Sequence, residues 1–199
     1  MQYLSQRLAA QPGGTREAEA SPGAVAGGQR ARLLDATREL IAEKGPASTT
    51  IEAIVKAAGV STATFYEHFR NKEECFVASF DRAAEELRAA WWDGVPAGAA
   101  RGDQVRAGLA ALLAAIDAEP ARARLCLVEA QKDGPLMRAR YEEELDRVAA
   151  ELDDPLGRAI VGGLAWLLRE RLELGGGGSV RKLLPEMTEA VLAPDPAHG

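Results

Sequence analysis

The sequence predicts an all-α protein: a small N-terminal helix-turn-helix unit of three helices, followed by a larger helical body. Three observations predict it. Alanine and leucine are abundant and β-branched runs are rare, which favours helix almost throughout. Apolar residues recur at three- and four-residue spacing in segment after segment. Two of these helical patterns also meet at a single glycine, Gly59, and the second is very short, which is the layout of a helix-turn-helix.

Composition narrows the class. The chain has 199 residues, 47% of them hydrophobic and 27% charged, which fits a soluble globular protein of one large domain or two small ones. No apolar run approaches the roughly 20 residues of a membrane span. No charged stretch leads into an apolar core at the N-terminus, so a cytoplasmic protein is expected. Cys75 and Cys126 lack metal-ligand spacing and read as free thiols. The net charge of −6 excludes nucleic-acid binding by bulk positive charge, so any basic footprint has to be local.

The elements follow in order. Residues 1–28 are rich in Gly, Ala, Gln, Pro and Glu without apolar periodicity and read as a flexible tail carrying Arg7 and Arg16. A first helix over 29–44 presents Leu33, Leu34, Thr37, Leu40 and Ile41 on one face, and Gly45-Pro46 ends it. A second begins at Thr49 or Thr50. Thr49 and Glu52 have the spacing of a capping box, and Ile51, Ile54, Val55 and Ala58 form the apolar face. Gly59 breaks it, as a turn needing positive φ requires. A third helix over 61–69 points Phe65 and Phe69 inward, with Val60 beside them. A fourth starts at Asn71, with Glu74 placed for a second capping box, and continues the stripe Phe76, Phe80, Ala84, Leu87, Trp91.

The stretch DGVPAGAARGD reads as a loop. Helices are then expected over 104–118, stopped by Glu119-Pro120, and over 121–131, 136–152 and 155–174. The glycine run 175–178 with Ser179 links to a last helix over 180–192, and Pro194 ends the order. The domain division expected is a tail at 1–28, a helix-turn-helix unit at 29–75, a helical body at 76–193 and a tail at 194–199.

The segment VSTATFYEHFRNKEECF, residues 60–76, carries the chemistry. The second helix of a helix-turn-helix pair is the one that enters a DNA major groove. Its inner face has to be locked, and Val60, Phe65 and Phe69 supply the lock, each buried Phe contributing roughly 1.5–3 kcal/mol. Its outer face presents the hydroxyls of Thr62, Thr64 and Tyr66 and the imidazole of His68, groups that donate to phosphate oxygens. Residues 29–75 hold seven Lys/Arg and seven Asp/Glu, so such contacts rest on neutral donors, helix N-termini and a few placed lysines.

From about residue 30 to 81, the run TTIEAIVKAAGV followed by GVSTATFYEHFRNKEECF resembles the DNA-binding signature of TetR-family transcriptional regulators. Beyond that the likeness is one of helical architecture. The resemblance implies an all-helical homodimer in which a small DNA-binding domain sits on a larger ligand-binding and dimerisation domain, with ligand releasing the protein from double-stranded operator DNA. It implies phosphate contacts by Thr50 and Lys72, base or phosphate contacts by Thr62, Ala63 and Thr64, and phosphate or nearby base-edge contacts by Tyr66 and His68. Two departures stand out. Glu52 is acidic where some relatives place a base-reading cation, and Thr62 and Ala63 have little hydrogen-bonding reach.

For dimerisation, a soluble monomer would not expose the stripe running from Leu156 to Leu172 together with Leu183, Leu184 and Val191. Ile160, Gly163, Leu164, Leu167, Leu168, Leu184 and Val191 are the expected contacts. Gly162 and Gly163 suit close helix approach in a two-fold four-helix bundle. For an effector, the body carries few internal charges, and an apolar or aromatic small molecule fits. Trp91, Trp92, Cys126, Glu129, Tyr141 and Trp166 are the candidate contacts, with Glu129 or Tyr141 as the polar anchor. Read singly, Trp91 and Trp92 suit core packing, Cys126 a small buried hydrophobe, and Glu129 and Glu142 to Glu144 solvated carboxylates.

No nucleophile with a base, metal set or phosphate loop is visible, and the only histidines are His68 and His198. Neither catalytic residue, metal nor cofactor is therefore expected. The rival readings are a helical regulator controlled by a partner protein, and a helical enzyme with an incidental helix-turn-helix.

Overall fold

The computed structural model describes residues 22–152, 157–174 and 178–192. Every regular element among them is helical. Helices α1 (Pro22–Lys44), α2 (Ile51–Ala58) and α3 (Thr62–His68) form the helix-turn-helix unit. A long α4 (Lys72–Asp93) leads into α5 (Arg101–Ala118) and α6 (Pro120–Arg124). A π-helical turn (Leu125–Glu129) and a 3-10 turn (Ala130–Lys132) precede α7 (Gly134–Glu151). Then come α8 (Gly157–Glu173), a 3-10 turn (Val180–Leu183) and α9 (Leu184–Leu192).

Several boundaries differ from expectation. Helix α1 starts at Pro22, so residues 22–28 are helical rather than tail. Proline suits a first helical position, where its missing N–H costs nothing. The tails 1–21 and 193–199, Leu156 and the glycines 175–177 lie outside the described residues. Helix α5 begins three residues earlier than its apolar pattern, at Arg101. The expected helix 121–131 is broken, because the Ala130 N–H bonds to the Leu125 carbonyl five residues back. That is a π turn, which packs one extra residue into the bend.

Three apolar clusters hold the molecule. Leu33, Leu34, Ile54, Phe65, Phe69 and Cys75 unite α1 to α3 with the start of α4. Ile41, Phe76, Phe80, Leu125, Met137 and Tyr141 form the second. Leu109, Leu113, Ile116, Leu168, Met187 and Val191 form the third. Helix α4 threads all three, with Cys75 in the first, Phe76 and Phe80 in the second, and Leu87 and Trp91 against the third. Polar pins reinforce its first turns. Ser79 Oγ donates to the Leu34 carbonyl at 2.8 Å, and Thr37 Oγ1 meets Cys75 Sγ at 3.2 Å. Arg38 is 8% exposed and reaches Glu119 at 3.1 Å and Glu86 at 3.7 Å, joining α1, α4 and the α5–α6 corner.

Candidate nucleic-acid interface and helical cavity

Each helix start in the helix-turn-helix unit is fixed by a local side chain. Thr50 accepts from the Ala53 N–H at 3.2 Å, Ser61 from Thr64 N–H at 3.0 Å, and Asn71 from Glu74 N–H at 2.8 Å. The expected Thr49–Glu52 box is therefore corrected. Thr49 is buried and donates back to the Gly45 carbonyl at 2.9 Å, closing the α1–α2 turn, while its neighbour caps α2. Glu74 accepts from the backbone and guanidinium of Arg70 rather than from Asn71, and these bonds hold its carboxyl below the usual carboxylate range. Gly59 takes φ 64°, and its N–H returns to Lys56 and Val55. That left-handed turn aims α3 away from α2.

Phe65 is fully buried and Phe69 nearly so, with their ring centroids 5.7 Å apart. Arg30 lies over the Phe69 ring at 5.3 Å. Thr50, Thr62, Ala63 and Tyr66 share the exposed side, and the Tyr66 ring stands edge-on to Phe65 at 5.5 Å. The other three predicted contacts are more restrained. Thr64 is half-buried and its hydroxyl meets Ser61 Oγ at 2.9 Å. His68 packs beside Phe69, and its Nε2 is buried with no hydrogen-bond partner among the described residues. Lys72 Nζ donates to the Pro46 carbonyl at 2.9 Å, tying α4 to the α1–α2 turn. Ser61, the cap of α3, was missed by sequence reasoning. Its spacing of three from Thr64 was the available signal.

Behind this unit, α4, α5, α7, α8, α9 and the π turn surround a cavity of about 440 Å³. Trp91, Trp92, Cys126 and Tyr141, four of the residues expected to meet an effector, line it. Glu129 and Trp166 do not. Glu129 is 3% exposed on the other side of the π turn, paired with Lys132 at 3.1 Å and Arg124 at 3.6 Å. Trp166 is 58% exposed on the outside of α8. The polar lining missed by the sequence is Arg88, Arg101, Gln104, Glu144 and Glu151. Glu144, expected on a solvated face, stands between Arg88 at 3.2 Å and Arg147 at 2.6 Å. Its helical spacing with Tyr141, Leu145 and Val148 was the signal for an inward position.

Burial raises the Glu144 carboxyl above its usual range, against the pull of Arg88, Arg147 and Arg140. Burial likewise raises the Tyr141 phenol and the Cys126 thiol, and pushes Cys75 to about 11. Both cysteines are free, and their raised values keep them as thiols rather than reactive thiolates. Gly108 lets α5 approach the Trp91 indole, where an added Cβ would sit 2.6 Å from the ring. No group of metal-ligating side chains occurs among the described residues, and none of their helices is long and apolar enough to cross a membrane.

The expected dimer contacts divide into two sets. Leu168 and Val191 are each 4% exposed inside the third cluster, so they are corrected to core residues. Ile160, Leu164, Leu167 and Leu184 are half-buried and pack against the same cluster. Gly163 is exposed, and an added Cβ at Gly162 or Gly163 would meet nothing within 4 Å. Periodicity marked these positions as apolar but not which surface would cover them.

Residues 33–78 match the family model described as bacterial regulatory proteins, tetR family. The FadR fatty acid degradation regulator of Bacillus halodurans superposes with a TM-score of 0.69 at 19% identity, over 83% of this chain and 95% of that one. A FadR regulator of Bacillus subtilis, solved in complex with stearoyl-CoA, gives a TM-score of 0.70 at 16% identity, over 82% and 97%. A TetR-like regulator from Rhodococcus sp. RHA1 gives 0.67 at 19%, over 84% and 97%.

Proposed function

We propose that this chain is a TetR-family transcriptional regulator, a homodimeric repressor whose α3 helices read operator DNA and whose cavity takes an apolar effector that releases it. The observation that carries the reading is α3 itself. One face is sealed by Phe65 and Phe69, and the opposite face offers Thr62, Ala63 and a Tyr66 that is 56% exposed. Such a helix is rigid enough to be a reader and polar enough to meet DNA.

Thr50 and Tyr66 are assigned to phosphates, and Thr62 and Ala63 to the groove floor. Thr64 packs at the helix start against Ser61, and His68, its Nε2 buried, has only Nδ1 to offer DNA. Lys72 spends one of its three donors on Pro46, and the other two are available to a phosphate. Dimer contacts are assigned to the outer face of α8, where Gly163 and Trp166 lie three residues apart on the exposed side. Two such subunits would present their α3 helices to successive major grooves, about 34–36 Å apart. The chain is read as a regulator without catalytic activity and as a cytoplasmic protein, in keeping with its family.

The cavity favours small-molecule control over control by a partner protein. It has the size and apolar lining of a ligand pocket. A DNA site selected from a random pool provides the test. Tyr66→Phe should weaken binding by about 0.5–1.5 kcal/mol, the net worth of one hydrogen bond. Lys72→Ala should lower the salt slope by about one unit per bound subunit. Parental DNA binding by both folded variants would overturn the assigned surface.

A further inference from the structure

The cavity has a direction. Along α4 its lining passes from Phe80, 1% exposed, to Trp92, 50% exposed. On α5 it passes from Ile116, also 1% exposed, to the exposed Arg101, and on α7 from the buried Tyr141 to the exposed Glu151. The three gradients run the same way. At one end Cys126 Sγ lies 4.0 Å from the Phe80 carbonyl. At the other, Trp92 Nε1 donates to Glu151 at 3.0 Å. The cavity is thus a tunnel with an apolar floor and a polar rim, and the Arg88–Glu144 pair sits partway along its wall.

Its length follows from helix geometry. From Phe80 to Trp92, α4 rises about 18 Å, at about 1.5 Å per residue. A saturated chain advances about 1.3 Å per carbon, given C–C bonds of about 1.5 Å, so about 14 carbons run from floor to rim. A compact aromatic molecule would leave much of such a tunnel unfilled. A chain with a polar end matches both the apolar floor and the polar rim.

The floor is also the part of the cavity tied to the helix-turn-helix unit. Cys126 and Leu127 line it, and both belong to the π turn. Arg124, immediately before that turn, donates to the Ala42 carbonyl in the last turn of α1 at 3.3 Å and to the Leu172 carbonyl at 2.7 Å. Glu129, at its end, has Oε2 3.6 Å from where a Cβ on Gly45 would lie. A ligand touching only the rim touches none of these.

We propose that the effector is a long single-chain amphiphile bound tail-first, its polar head at the Trp92–Glu151 rim, and that chain length decides whether binding releases DNA. A chain that reaches Cys126 displaces the π turn and with it the end of α1, whereas a shorter chain occupies the tunnel silently. This rests on the effector reading above. It adds to that reading the ligand's shape, its orientation and the residues that measure it.

The experiment uses the full chain and a DNA site selected from a random pool. Octanoate, dodecanoate and hexadecanoate, their coenzyme A thioesters and the matching alcohols are titrated. Tryptophan fluorescence reads occupancy, and DNA anisotropy at saturation reads release. In at least one head-group series the shorter chains should bind without effect, and the hexadecanoyl member should weaken DNA binding about tenfold or more, within the usual range of allosteric coupling. Cys126→Leu raises the floor and should let the dodecanoyl member release DNA. Ile116→Ala deepens it and should abolish release by the hexadecanoyl member, which keeps the test intact if the first variant does not fold. Equal release at equal occupancy by every length, or saturation by 2-naphthol but by no chain, would overturn the proposal while leaving the regulator intact. Absence of any selected DNA site would instead overturn the regulator reading itself.

Discussion

The helix-turn-helix unit and the helices around the cavity are specified differently. Helices α2, α3 and α4 each start on a side chain, Thr50, Ser61 or Asn71, that accepts a backbone N–H. Helices α5, α6 and α7 start at Ala100, Glu119 and Asp133 without any side-chain cap bond. A side-chain cap contributes about 1 kcal/mol and, more to the point, fixes where a helix begins. The reading head is therefore defined by residues three apart in the chain. The body is defined by tertiary packing around a partly empty interior, and it accommodates a π turn and a tunnel. A surface that must meet DNA in one register benefits from the first kind of specification. A pocket that must change on occupancy benefits from the second.

The largest test of this contrast is Phe65→Ala. Removing a fully buried ring should cost about 3–5 kcal/mol of unfolding free energy. Denaturant melts would show it, and DNA binding should be lost with it. If stability falls by less than about 1 kcal/mol, the rings do not lock α3 as described.

Cap removal sharpens the comparison. Asn71→Ala should cost about 0.5–2 kcal/mol, whereas Asp133→Ala, at an uncapped start, should stay within about 0.5 kcal/mol of the parent. Equal losses at the two sites would erase the distinction drawn here.

The smallest expected effect is a pH effect in the body. Asp117 accepts from the Ser179 hydroxyl and from the Val180 N–H at 2.9 Å, fastening the turn before α9. Partial burial opposes its ionisation, but these bonds and Arg181 hold its carboxyl below the usual aspartate range. A depressed carboxylate stabilises the fold above its unfolded pKa, and that contribution disappears as pH falls through the folded one. Asp117→Asn should therefore flatten the acid limb of the melting profile below about pH 4, and an unchanged limb would remove this contribution. The Asp117 partners Ser179 and Arg181 are exposed, so solvent screening keeps the effect small.

The same contrast explains what was legible in the sequence. Gly59, Asn71 and the inward Phe65 and Phe69 act on near neighbours, so spacing alone revealed them. Even there the adjacent hydroxyls of Thr49 and Thr50 exchanged roles, because either satisfies a cap pattern on paper and only the α1–α2 turn decides between them. In the body, the pattern marked Leu168, Val191, Glu144 and Trp166 by type but not by partner. Leu168 and Val191 are core residues that line the tunnel together with Glu144, Trp166 faces out, and each outcome depends on contacts with helices distant in sequence. The π turn was invisible for the same reason. Nothing in ARARLCLVEA distinguishes a bond reaching five residues back from one reaching four.

Helix α4 is also a mechanical arm. Its 22 residues make a rod about 33 Å long, with Lys72 at one end, Trp92 at the tunnel mouth near the other, and the Arg38–Glu86 contact between them. Stiff rods convert angle into travel. A tilt of about 5° around the middle of the rod carries each tip about 1.4 Å, by the same helix rise. Lys72 holds Pro46 at 2.9 Å, and a hydrogen bond stretched by that amount is no longer one. A tilt of the rod too small to reshape the tunnel is thus enough, at the far tip, to change what the lysine holds.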